Sequence, residues 1–388
     1  MKIKLAVLFG GKSVEHEISV ISAIQAIAAL DTDKYDVIPV YITKNNEFYV
    51  GDGISDIESY KNIPLLLKKS KRCILVNEGK KNLIVRYPLK PFAQNTLYQV
   101  DIAFPIVHGT NVEDGTISGY LKMLNIPFVG CDVLSAAVGM DKHVMKAVLK
   151  DNGIPVLDCC MFTQKDYSDE SAVIKATEKK FAYPVIVKPI NLGSSVGISK
   201  AYDAQGLSGA LENAFAFSNK VLVEPSIEDL IEINCAVLGS HEDAQASVCE
   251  HPLSGDEILS YQDKYITKGS SKGMASTKRI IPADIPHEQT ETIRKMAIDA
   301  FRCLGCNGVA RIDFMIDNAK NIVYLNEINT IPGSLSFYLW EPLDVPYGEL
   351  LDKMIKLALD RQRSIESISF SFDTNILSLD RPSGKGKS

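Results

Sequence analysis

The chain alternates short apolar segments with amphipathic ones, and this pattern predicts a layered α/β protein. Residues 5–9, 37–42 and 102–107 are apolar runs of strand length, and residues 19–30 place apolar side chains at helical spacing. A strand, a glycine turn, a helix and another strand in this order form a βαβ unit. The first third of the chain is therefore predicted to be an open parallel sheet with helices, interrupted by a lysine-rich surface stretch at 45–94.

The rest of the chain contains both patterns. Helical spacing predicts helices over residues 117–124, 134–150, 170–180, 286–304 and 347–362. Apolar runs predict strands over residues 183–189, 221–225, 232–238, 246–250, 309–316 and 322–325. The last two strands flank a turn rich in Asn and Asp, which predicts a β-hairpin. Residues 254–277 form a long polar segment typical of a lid, and residues from 364 onward are expected to be partly disordered.

The predicted hairpin carries a set of oxygen-bearing side chains. Because side chains alternate along a strand, Arg311 and Asp313 share one face, and Glu327 and Asn329 share the facing one. In the obvious register, Asp313, Glu327 and Asn329 converge as ligands for Mg²⁺, which prefers oxygen donors and completes its shell with water and phosphate. An ordinary solvated hairpin face is the alternative interpretation.

Polar side chains also follow two of the N-terminal strands. Glu15 and Glu17 come after the first strand, and His108 and Glu113 come after the strand at 102–107. Open α/β sheets bind ligands at the carboxyl ends of their strands, so these residues are candidates for a binding site. A dinucleotide site of the Rossmann type is disfavoured, because the glycine turn lacks GxGxxG and the two glutamates would repel a pyrophosphate.

A glycine- and serine-rich loop at 190–197 follows the strand that carries Lys188. Loops of this kind bring backbone N–H groups close to phosphate oxygens. The loop is not a Walker A motif, since no Gly-Lys-Ser/Thr follows at the required spacing. A flexible hairpin tip is the other interpretation. Glu224, at the end of the strand at 221–225, is placed to recognise an adenine amino group and ribose hydroxyls.

Composition excludes several classes of function. A chain of 388 residues with 46% hydrophobic and 23% charged residues is long enough for roughly two to three globular domains. Its net charge of −6 argues against binding to nucleic acid or anionic membranes. No apolar run approaches the roughly 20 residues that span a bilayer, and no signal peptide is expected.

The eight cysteines are scattered through apolar segments, which predicts reduced thiols and a cytoplasmic protein. Cys303 and Cys306 form a lone CxxC pair, so a zinc site is not expected.

Seven short motifs, taken together, resemble those of the ATP-grasp ligases and, within them, the D-alanine–D-alanine ligases. They are LFGGKSVEHEIS at 8–19, HGTNVEDGTISG at 108–119, MDK at 140–142, VKPINLGSSVGISK at 187–200, YQDKY at 261–265, GVARIDF at 308–314 and NEINTIPG at 326–333. The resemblance extends from about residue 4 to about residue 356 and keeps the family's order.

The resemblance implies an α/β fold with an α+β ATP-grasp part. The implied divisions are an N-terminal open parallel α/β domain over residues 1–137, a central ATP-grasp lid subdomain over 138–222, a catalytic ATP-grasp subdomain over 223–362 and a tail over 363–388. The implied enzyme phosphorylates the carboxylate of one D-alanine with ATP and joins it to the amine of a second, for peptidoglycan precursor synthesis. ATP and two Mg²⁺ or Mn²⁺ ions are the implied cofactors, and a homodimer is the implied assembly.

The resemblance also assigns roles to individual residues. The implied catalytic group is Glu15, Ser194, Tyr265, Arg311 and Gly333, the last through its backbone N–H. The implied nucleotide-binding group is Lys142, Lys188, Ser195, Glu224, Glu232 and Asn326. The implied substrate-binding group is His108, Tyr261, Lys264 and Ser336. The implied metal ligands are Asp313, Glu327 and Asn329.

Two segments depart from the family pattern. Val112 stands where the family has glycine, which predicts a differently shaped loop after His108. The segment at 334–340 is shorter than its family counterpart, so the serine that grips the second substrate's carboxylate has no aligned equivalent. Ser336 is the candidate for that role, with Lys264 as its partner. The lid also has Leu and Ser at 259–260, where an aromatic residue and an acid are common in the family.

The identity of the second substrate is therefore the question that the sequence leaves open. The Lys-Tyr pair kept at 264–265 favours D-alanine over D-lactate in the acceptor site. A ligase that uses a different acceptor and a nucleotide-binding protein without catalysis are the two alternatives, and a dehydrogenase is the least favoured.

Overall fold

The computed structural model describes residues 2–79, 81–193, 195–253 and 279–369, which contain three β-sheets. The first sheet has seven strands: β1 Ile3–Gly10, β2 Tyr35–Ile42, β3 Phe48–Val50, β4 Lys71–Glu78, β5 Lys81–Arg86, β6 Thr96–Val100 and β7 Ile102–Ile106. Their order is β6-β5-β4-β3-β2-β1-β7. Helices α1 His16–Ala29, α2 Ile63–Lys69 and α3 Thr116–Met123 accompany this sheet.

Only the centre of the first sheet is parallel, with β1 between β2 and β7. The βαβ prediction is confirmed there. The lysine-rich stretch at 45–94, however, forms three strands that the sequence pattern did not predict, β3 to β5, which pair antiparallel with one another and with β2 and β6. The reason is visible in β4, where Cys73 and Leu75 are buried, Ile74 and Val76 are only half-buried, and the charged residues at the two ends are exposed. A sheet that is covered on one face needs only this weak alternation.

The predicted single helix at 134–150 is wrong, because the structure has two helices, α4 Val133–Met140 and α5 Lys142–Asp151. Asp141 separates them with an extended backbone, and its carboxylate accepts hydrogen bonds from the N–H groups of His143 and Val144 at 3.1 and 3.0 Å. An aspartate competes well for this N-cap geometry, so it starts a new helix instead of continuing the old one.

The second sheet has four antiparallel strands: β8 Cys160–Thr163, β9 Val185–Pro189, β10 Ser199–Ala201 and β11 Lys220–Pro225, in the order β10-β9-β11-β8. Helices α6 Gln164–Tyr167, α7 Glu170–Lys180 and α8 Ala204–Phe215 belong to the same region. The helix predicted over 170–180 has the bounds of α7. Strand β11 crosses the predicted domain limit at 222–223, and the domain limits themselves stay a prediction.

The third sheet has five strands: β12 Leu230–Gly239, β13 Ala244–Pro252, β14 Arg279–Ile280, β15 Gly308–Asp317 and β16 Ile322–Asn329, in the order β14-β13-β12-β15-β16. Helix α9 His287–Cys303 packs on this sheet, and α10 Tyr347–Glu366 closes the described chain. The β15–β16 hairpin is present as predicted. Within the described ranges, no helix is long and apolar enough to cross a membrane.

One hydrophobic core joins the beginning and the end of the chain. It contains Phe9 of β1 and Ala23 of α1 together with Leu335, Trp340 and Met354 from the C-terminal part, all buried. Burial of large apolar side chains stabilises such an arrangement by about 25 cal/mol per Å². The N-terminal sheet is therefore held against the segment that follows the β15–β16 hairpin.

The Asp141 cap gives a test of the helix break. We expect Asp141→Ala to remove both capping hydrogen bonds and to lower stability by about 1 kcal/mol, seen as a reduced Tm in thermal unfolding. Asp141→Asn keeps a side-chain oxygen that can accept the same bonds, so it should lose much less. Equal losses in the two variants would contradict the capping role.

Candidate active site

The β15–β16 hairpin brings together the four side chains that the sequence singled out. Arg311 pairs with Asn329, and Asp313 pairs with Glu327, because a register shift between Asp313 and Phe314 leaves Asn326 as an extra residue on β16. Between these two positions, Ile312 points the other way and is fully buried in the core. The hairpin thus separates an apolar face from a polar one.

Two further strands extend the polar face. Asn234 on β12 lies beside Asp313, and Glu250 on β13 lies beside Asn234, so a row of carboxylate and amide groups crosses four strands up to Glu327. Asn234 and Glu250 are buried. Sequence reasoning missed both residues, although a polar residue inside an apolar strand is a signal that could have found them.

Arg311 and Asp313 form a two-point ion pair. Arg311 Nε and Nη2 donate to the Asp313 carboxylate at 2.6 and 2.7 Å, and the Asn329 amide donates to the same carboxylate at 3.0 Å. Burial alone would lower the pKa of Arg311, but the neighbouring carboxylate raises it well above its ordinary value. The guanidinium is therefore a fixed positive charge in a buried site.

Two lysines approach the hairpin beside strand β16. Lys142 Nζ, at the start of α5, lies 3.0 Å from the Glu327 carboxylate and donates to the carbonyl of Leu192 at 2.8 Å. Lys188 Nζ donates to the Asn326 side-chain oxygen at 3.1 Å. Of the predicted nucleotide-binding residues, the structure thus brings Lys142, Lys188 and Asn326 beside the hairpin.

Glu224 sits between two buried lysines. Its carboxylate oxygens lie 2.6 Å from Lys188 Nζ and 2.5 Å from Lys146 Nζ. Burial opposes the charge of Glu224, yet the two ammonium groups hold its pKa below the ordinary value. Sequence reasoning missed Lys146, whose signal is its position one helical turn after Lys142. Contact of Glu224 with adenine stays a prediction.

Glu15 lies at the N-terminus of α1, where two loops close around it. A Cβ added to Gly109 would come within 2.8 Å of the Glu15 carboxylate, and one added to Gly193 within 3.2 Å. Gly109 also has a φ of +82°, so a side chain there is disfavoured both by this backbone conformation and by the clash with Glu15. The predicted phosphate loop thus reaches the N-terminal sheet at Glu15.

His108 fixes the turn that precedes Gly333. Its Nδ1 lies 2.7 Å from the carbonyl oxygen of Ile331, so Nδ1 carries the proton and donates it. Its Nε2 accepts from the hydroxyl of Ser22 at 3.0 Å, and the Ser22 oxygen in turn accepts from the N–H of Ser334 at 2.9 Å. Burial lowers the pKa of His108 to about 4, which keeps the ring neutral and suited to both bonds.

Glu113 holds the same turn from the other side. Its carboxyl oxygens accept from the backbone N–H groups of Ile331 and Gly109, each at 2.9 Å, and from the Thr330 hydroxyl at 3.3 Å. Burial is the main reason that the pKa of Glu113 rises to about 8, and the charge of Glu15 adds to it. The sequence placed Glu113 near the site but gave it no role.

The departure at Val112 also has a structural consequence. Val112 is buried in the core of the first sheet, and a Cβ on Gly11 would lie 2.4 Å from its Cγ1. The valine therefore packs directly on the glycine turn after β1, where the family's glycine would leave space.

Three consecutive residues after Gly333 adopt left-handed backbone conformations. Ser334, Leu335 and Ser336 have φ values of 49°, 53° and 50°. The Ser334 hydroxyl donates to Gln25 at 2.7 Å, and Leu335 is buried in the shared core. Ser336 is fully buried, and its hydroxyl has no hydrogen-bond partner in the described parts of the chain. Its contact with a substrate stays a prediction.

Family models match most of the chain. Residues 4–131 match the family described as "D-ala D-ala ligase N-terminus", and residues 148–356 match "D-ala D-ala ligase C-terminus". The chain belongs to the D-alanine–D-alanine ligase family. The α/β fold with an ATP-grasp part is therefore confirmed.

The family's members match this chain over nearly their whole length. A D-alanine–D-alanine ligase of Acetivibrio thermocellus is 42% identical over 93% of this chain and 96% of its own, and one of Thermosipho melanesiensis is 38% identical over 97% and 99%. Among solved structures, the D-alanine–D-alanine ligase of Coxiella burnetii has a TM-score of 0.77 at 30% identity, covering 94% of this chain and 96% of its own. The VanG D-Ala:D-Ser ligase of Enterococcus faecalis has the same TM-score at 32% identity, with coverage of 92% and 100%.

Several residues to which the family resemblance assigns roles lie away from the polar face of the hairpin or outside the described ranges. Ser194, Tyr261, Lys264 and Tyr265 are outside them. Ser195 follows Ser194 with a φ of 59°, and Glu232 is exposed on β12 beside Met315. The roles of all six stay predictions.

The chemistry of the hairpin donors fits the Mg²⁺ or Mn²⁺ ions that the sequence predicts. Asp313 and Glu327 offer carboxylates, and Asn329 offers an amide oxygen, which are the donor types that hard cations prefer. The described residues hold no cluster of three His, Cys, Asp or Glu side chains able to bind a metal alone. A site with two carboxylates and one amide suits a cation that takes its remaining oxygens from nucleotide phosphates and water.

The raised pKa of Glu113 predicts a pH effect on stability. Between the ordinary value of 4.5 and about 8, the folded protein keeps a proton that the unfolded chain releases. The stability gained from this proton is complete at low pH and is lost as pH rises toward 8. Glu113→Gln cannot ionise, so its Tm should fall less than that of the parent from pH 5 to pH 8. Glu78→Gln, at an exposed position, is the control, and parallel Tm curves for the parent and Glu113→Gln would contradict the assignment.

Proposed function

We propose that the protein is an ATP-dependent D-alanine–D-alanine ligase that makes the dipeptide for peptidoglycan precursors. The observation that carries this proposal is the polar face of the hairpin, where Arg311 and Asp313 lie opposite Asn329 and Glu327 with Lys142 close by. Such a face offers metal ligands, a fixed guanidinium and an ammonium group within one site. Phosphoryl transfer to a carboxylate needs all three, because negative charge accumulates on both reactants.

The first D-alanine is proposed to bind between Glu15 and Arg311. Its ammonium group would pair with the Glu15 carboxylate, and its carboxylate would lie against Arg311 and the backbone N–H of Gly333. The close approach of Gly109 and Gly193 to Glu15 supports this assignment, because it encloses the carboxylate between two loops. A charge pair in an enclosed site is stronger than one in water.

The first step then converts the carboxylate into an acyl phosphate. A carboxylate oxygen of D-alanine takes the γ-phosphoryl group of ATP, and ADP leaves. Lys142 and Lys188 are proposed to offset the phosphate charge, and their present partners, Glu327 and Glu224, keep them in place. Bound Mg²⁺ or Mn²⁺, held by Asp313, Glu327 and Asn329, would supply further charge neutralisation on the phosphates.

The second step forms the peptide bond. The amine of a second D-alanine attacks the acyl carbon, the carbonyl electrons move to the oxygen, and the tetrahedral intermediate then expels inorganic phosphate while the amine loses its proton. Arg311 and the Gly333 N–H are the proposed donors to that oxygen, a kind of contact worth about 3–4 kcal/mol of barrier. His108 and Glu113 hold the preceding turn from both sides, which supports a fixed position for this N–H.

A ligase with a different acceptor is the second candidate. The observation that favours it is the left-handed turn at Ser334, Leu335 and Ser336, which replaces the longer family segment. The related VanG protein is named as a D-Ala:D-Ser ligase, so acceptor choice differs among proteins of this shape.

A cytoplasmic location and a homodimer also belong to the proposal.

The substrate can be tested with a panel of amino acids. We expect ATP–Mg²⁺ and D-alanine alone to give stoichiometric phosphate and D-alanyl-D-alanine, measured by phosphate release and product chromatography. A product formed only when D-serine or another amino acid is added would favour the second candidate. No turnover with D-alanine, or a requirement for an L-amino acid, would refute the proposed function.

The hairpin face can be tested by Asp313→Ala. This variant removes a proposed metal ligand and the partner of Arg311, so turnover should fall by about 100-fold or more. Nucleotide binding, measured by calorimetry with an ATP analogue, should persist because the lysines remain. The control is Asp317→Asn, at the end of the same strand, where Asp317 pairs with Lys320 outside the site. Turnover that is equal in the parent and Asp313→Ala would remove Asp313 from the centre.

A further inference from the structure

A third buried lysine lies beside the predicted nucleotide-binding residues and has no part in the proposed mechanism. Lys146 is on α5, one helical turn after Lys142, and its side chain is only 4% exposed. Burying an ammonium group is costly unless partners compensate for the lost water. The contacts of Lys146 therefore indicate what it contributes to the site.

Lys146 joins two separate segments of the chain. Its Nζ lies 2.5 Å from Glu224 Oε1 and donates to the carbonyl oxygen of Leu157 at 3.1 Å. Glu224 is on β11 of the second sheet, and Leu157 lies between α5 and β8. The ammonium group thus connects the second sheet with the segment that leads into it.

From Glu224 the contacts continue to the hairpin of the third sheet. Glu224 Oε2 lies 2.6 Å from Lys188 Nζ, and Lys188 donates to the side-chain oxygen of Asn326 at 3.1 Å. Asn326 is the extra residue on β16 at the register shift, and the proposed metal ligand Glu327 follows it directly. Because a bulge re-aims the side chains beside it, the position of Asn326 affects the direction of Glu327.

The contacts of Leu157 lead to the same strand. Val156, the residue before it, pairs with Leu325 in a parallel bridge, and the N–H of Leu325 donates to the carbonyl oxygen of Pro155 at 2.9 Å. Both routes from Lys146 therefore end on neighbouring residues of β16. They close a ring of contacts, which we call the lysine ring and which consists of Lys146, Glu224, Lys188, Asn326, Leu325 and residues 155–157.

Glu224 is held in the lysine ring from two sides. Lys146 approaches one of its carboxylate oxygens and Lys188 approaches the other, so the carboxylate cannot turn without losing an ion pair. Without Lys146, the carboxylate can turn and draw Lys188 with it, away from Asn326. The place of Lys188 beside the hairpin therefore depends on Lys146.

We propose that Lys146 is a positioning residue for the nucleotide, which acts through Glu224 to fix Lys188 and the bulge at Asn326. This inference rests on the proposed ligase function and adds a residue whose partners are groups of the protein. A cationic group that is fixed before the nucleotide arrives binds it more tightly than one that must be ordered on binding. The lysine ring thus prepares the nucleotide site and the adjoining metal ligand together.

The contrary interpretation is that Lys146 only stabilises the fold. A buried ion pair can serve that purpose, and removing one partner lowers stability in either case. The two interpretations differ in what they predict for variant molecules that are folded. Lower stability alone reduces the number of active molecules and leaves the nucleotide Kd of the folded ones unchanged, whereas a loss of positioning raises that Kd.

The test uses Lys146→Met and Lys146→Arg in the full-length protein. Calorimetry gives the Kd of a non-hydrolysable ATP analogue with Mg²⁺, and initial rates give the KM values for ATP and D-alanine. We expect Lys146→Met to raise the Kd and the KM for ATP about tenfold and to leave the KM for D-alanine unchanged. Lys146→Arg should recover much of the loss because it restores the charge beside Glu224.

A second uncharged variant and a control complete the set. Lys146→Gln keeps a donor for the Leu157 carbonyl but not the charge, so it should raise the Kd as Lys146→Met does, and it replaces that variant if Lys146→Met does not fold. The matched control is Arg361→Gln on α10. Arg361 is a partly buried cation that also donates to backbone carbonyl groups, those of Gly130 and Phe128, at 2.6 and 2.5 Å. Its loss should lower the Tm without changing the nucleotide Kd.

A double-mutant cycle tests the route through Glu224. In a Glu224→Gln background the carboxylate charge that Lys146 holds is absent, so Lys146→Met should change the Kd by less than about twofold. If the two substitutions instead multiply in their effects on the Kd, Lys146 does not act through Glu224 and the inference is refuted.

The outcomes separate this inference from the function on which it rests. A parent protein that binds the ATP analogue but forms no ADP with D-alanine refutes the proposed function. An active parent together with folded Lys146→Met and Lys146→Gln variants, as judged by Tm, whose nucleotide Kd equals that of the parent refutes only the role of Lys146. An equal rise of the Kd in Arg361→Gln also refutes it, because the effect then follows from lost stability.

Discussion

The candidate active site depends on the backbone of one residue, Ile331. Its N–H donates to Glu113, and its carbonyl accepts from His108, so both ends are held by loops of the N-terminal sheet. Gly333 follows two residues later, and the proposed oxyanion donor is its N–H. A hydrogen-bond donor contributes to catalysis only when it is fixed before the charge develops. The buried Leu335 and Trp340 continue this anchoring into the core shared by both ends of the chain.

The same site keeps its charges in place by pairing them. Lys188 and Lys146 share the carboxylate of Glu224, and Lys142 lies against Glu327. A buried ion without a partner is costly, so each carboxylate lowers the cost of burying the lysines beside it. In the proposed function, the anionic nucleotide meets positive groups that are already oriented, which reduces the reorganisation needed at the reaction step.

Local patterns predicted most of the hairpin and little of the buried network around it. Alternation along the two strands was enough to group Arg311 with Asp313 and Glu327 with Asn329. Their pairing depends on a register shift between Asp313 and Phe314, which leaves Asn326 as an extra residue on β16. Glu250 joins the site only because its hairpin partner β12 pairs with β15, a strand distant in sequence. Lys146 joins it only because α5 begins at the Asp141 cap. Contacts of this kind depend on tertiary packing, which no local periodicity contains.

The segment after Gly333 shows most clearly which features local sequence patterns could not predict. A left-handed conformation at a residue other than glycine costs about 1 kcal/mol or more, so three in succession would not be expected from their identities. The structure offsets the cost with the bonds of Ser334 to Ser22 and Gln25 and with the burial of Leu335. All of these partners come from α1 and the shared core. The conformation of this turn therefore follows from how the first helix packs against the last third of the chain.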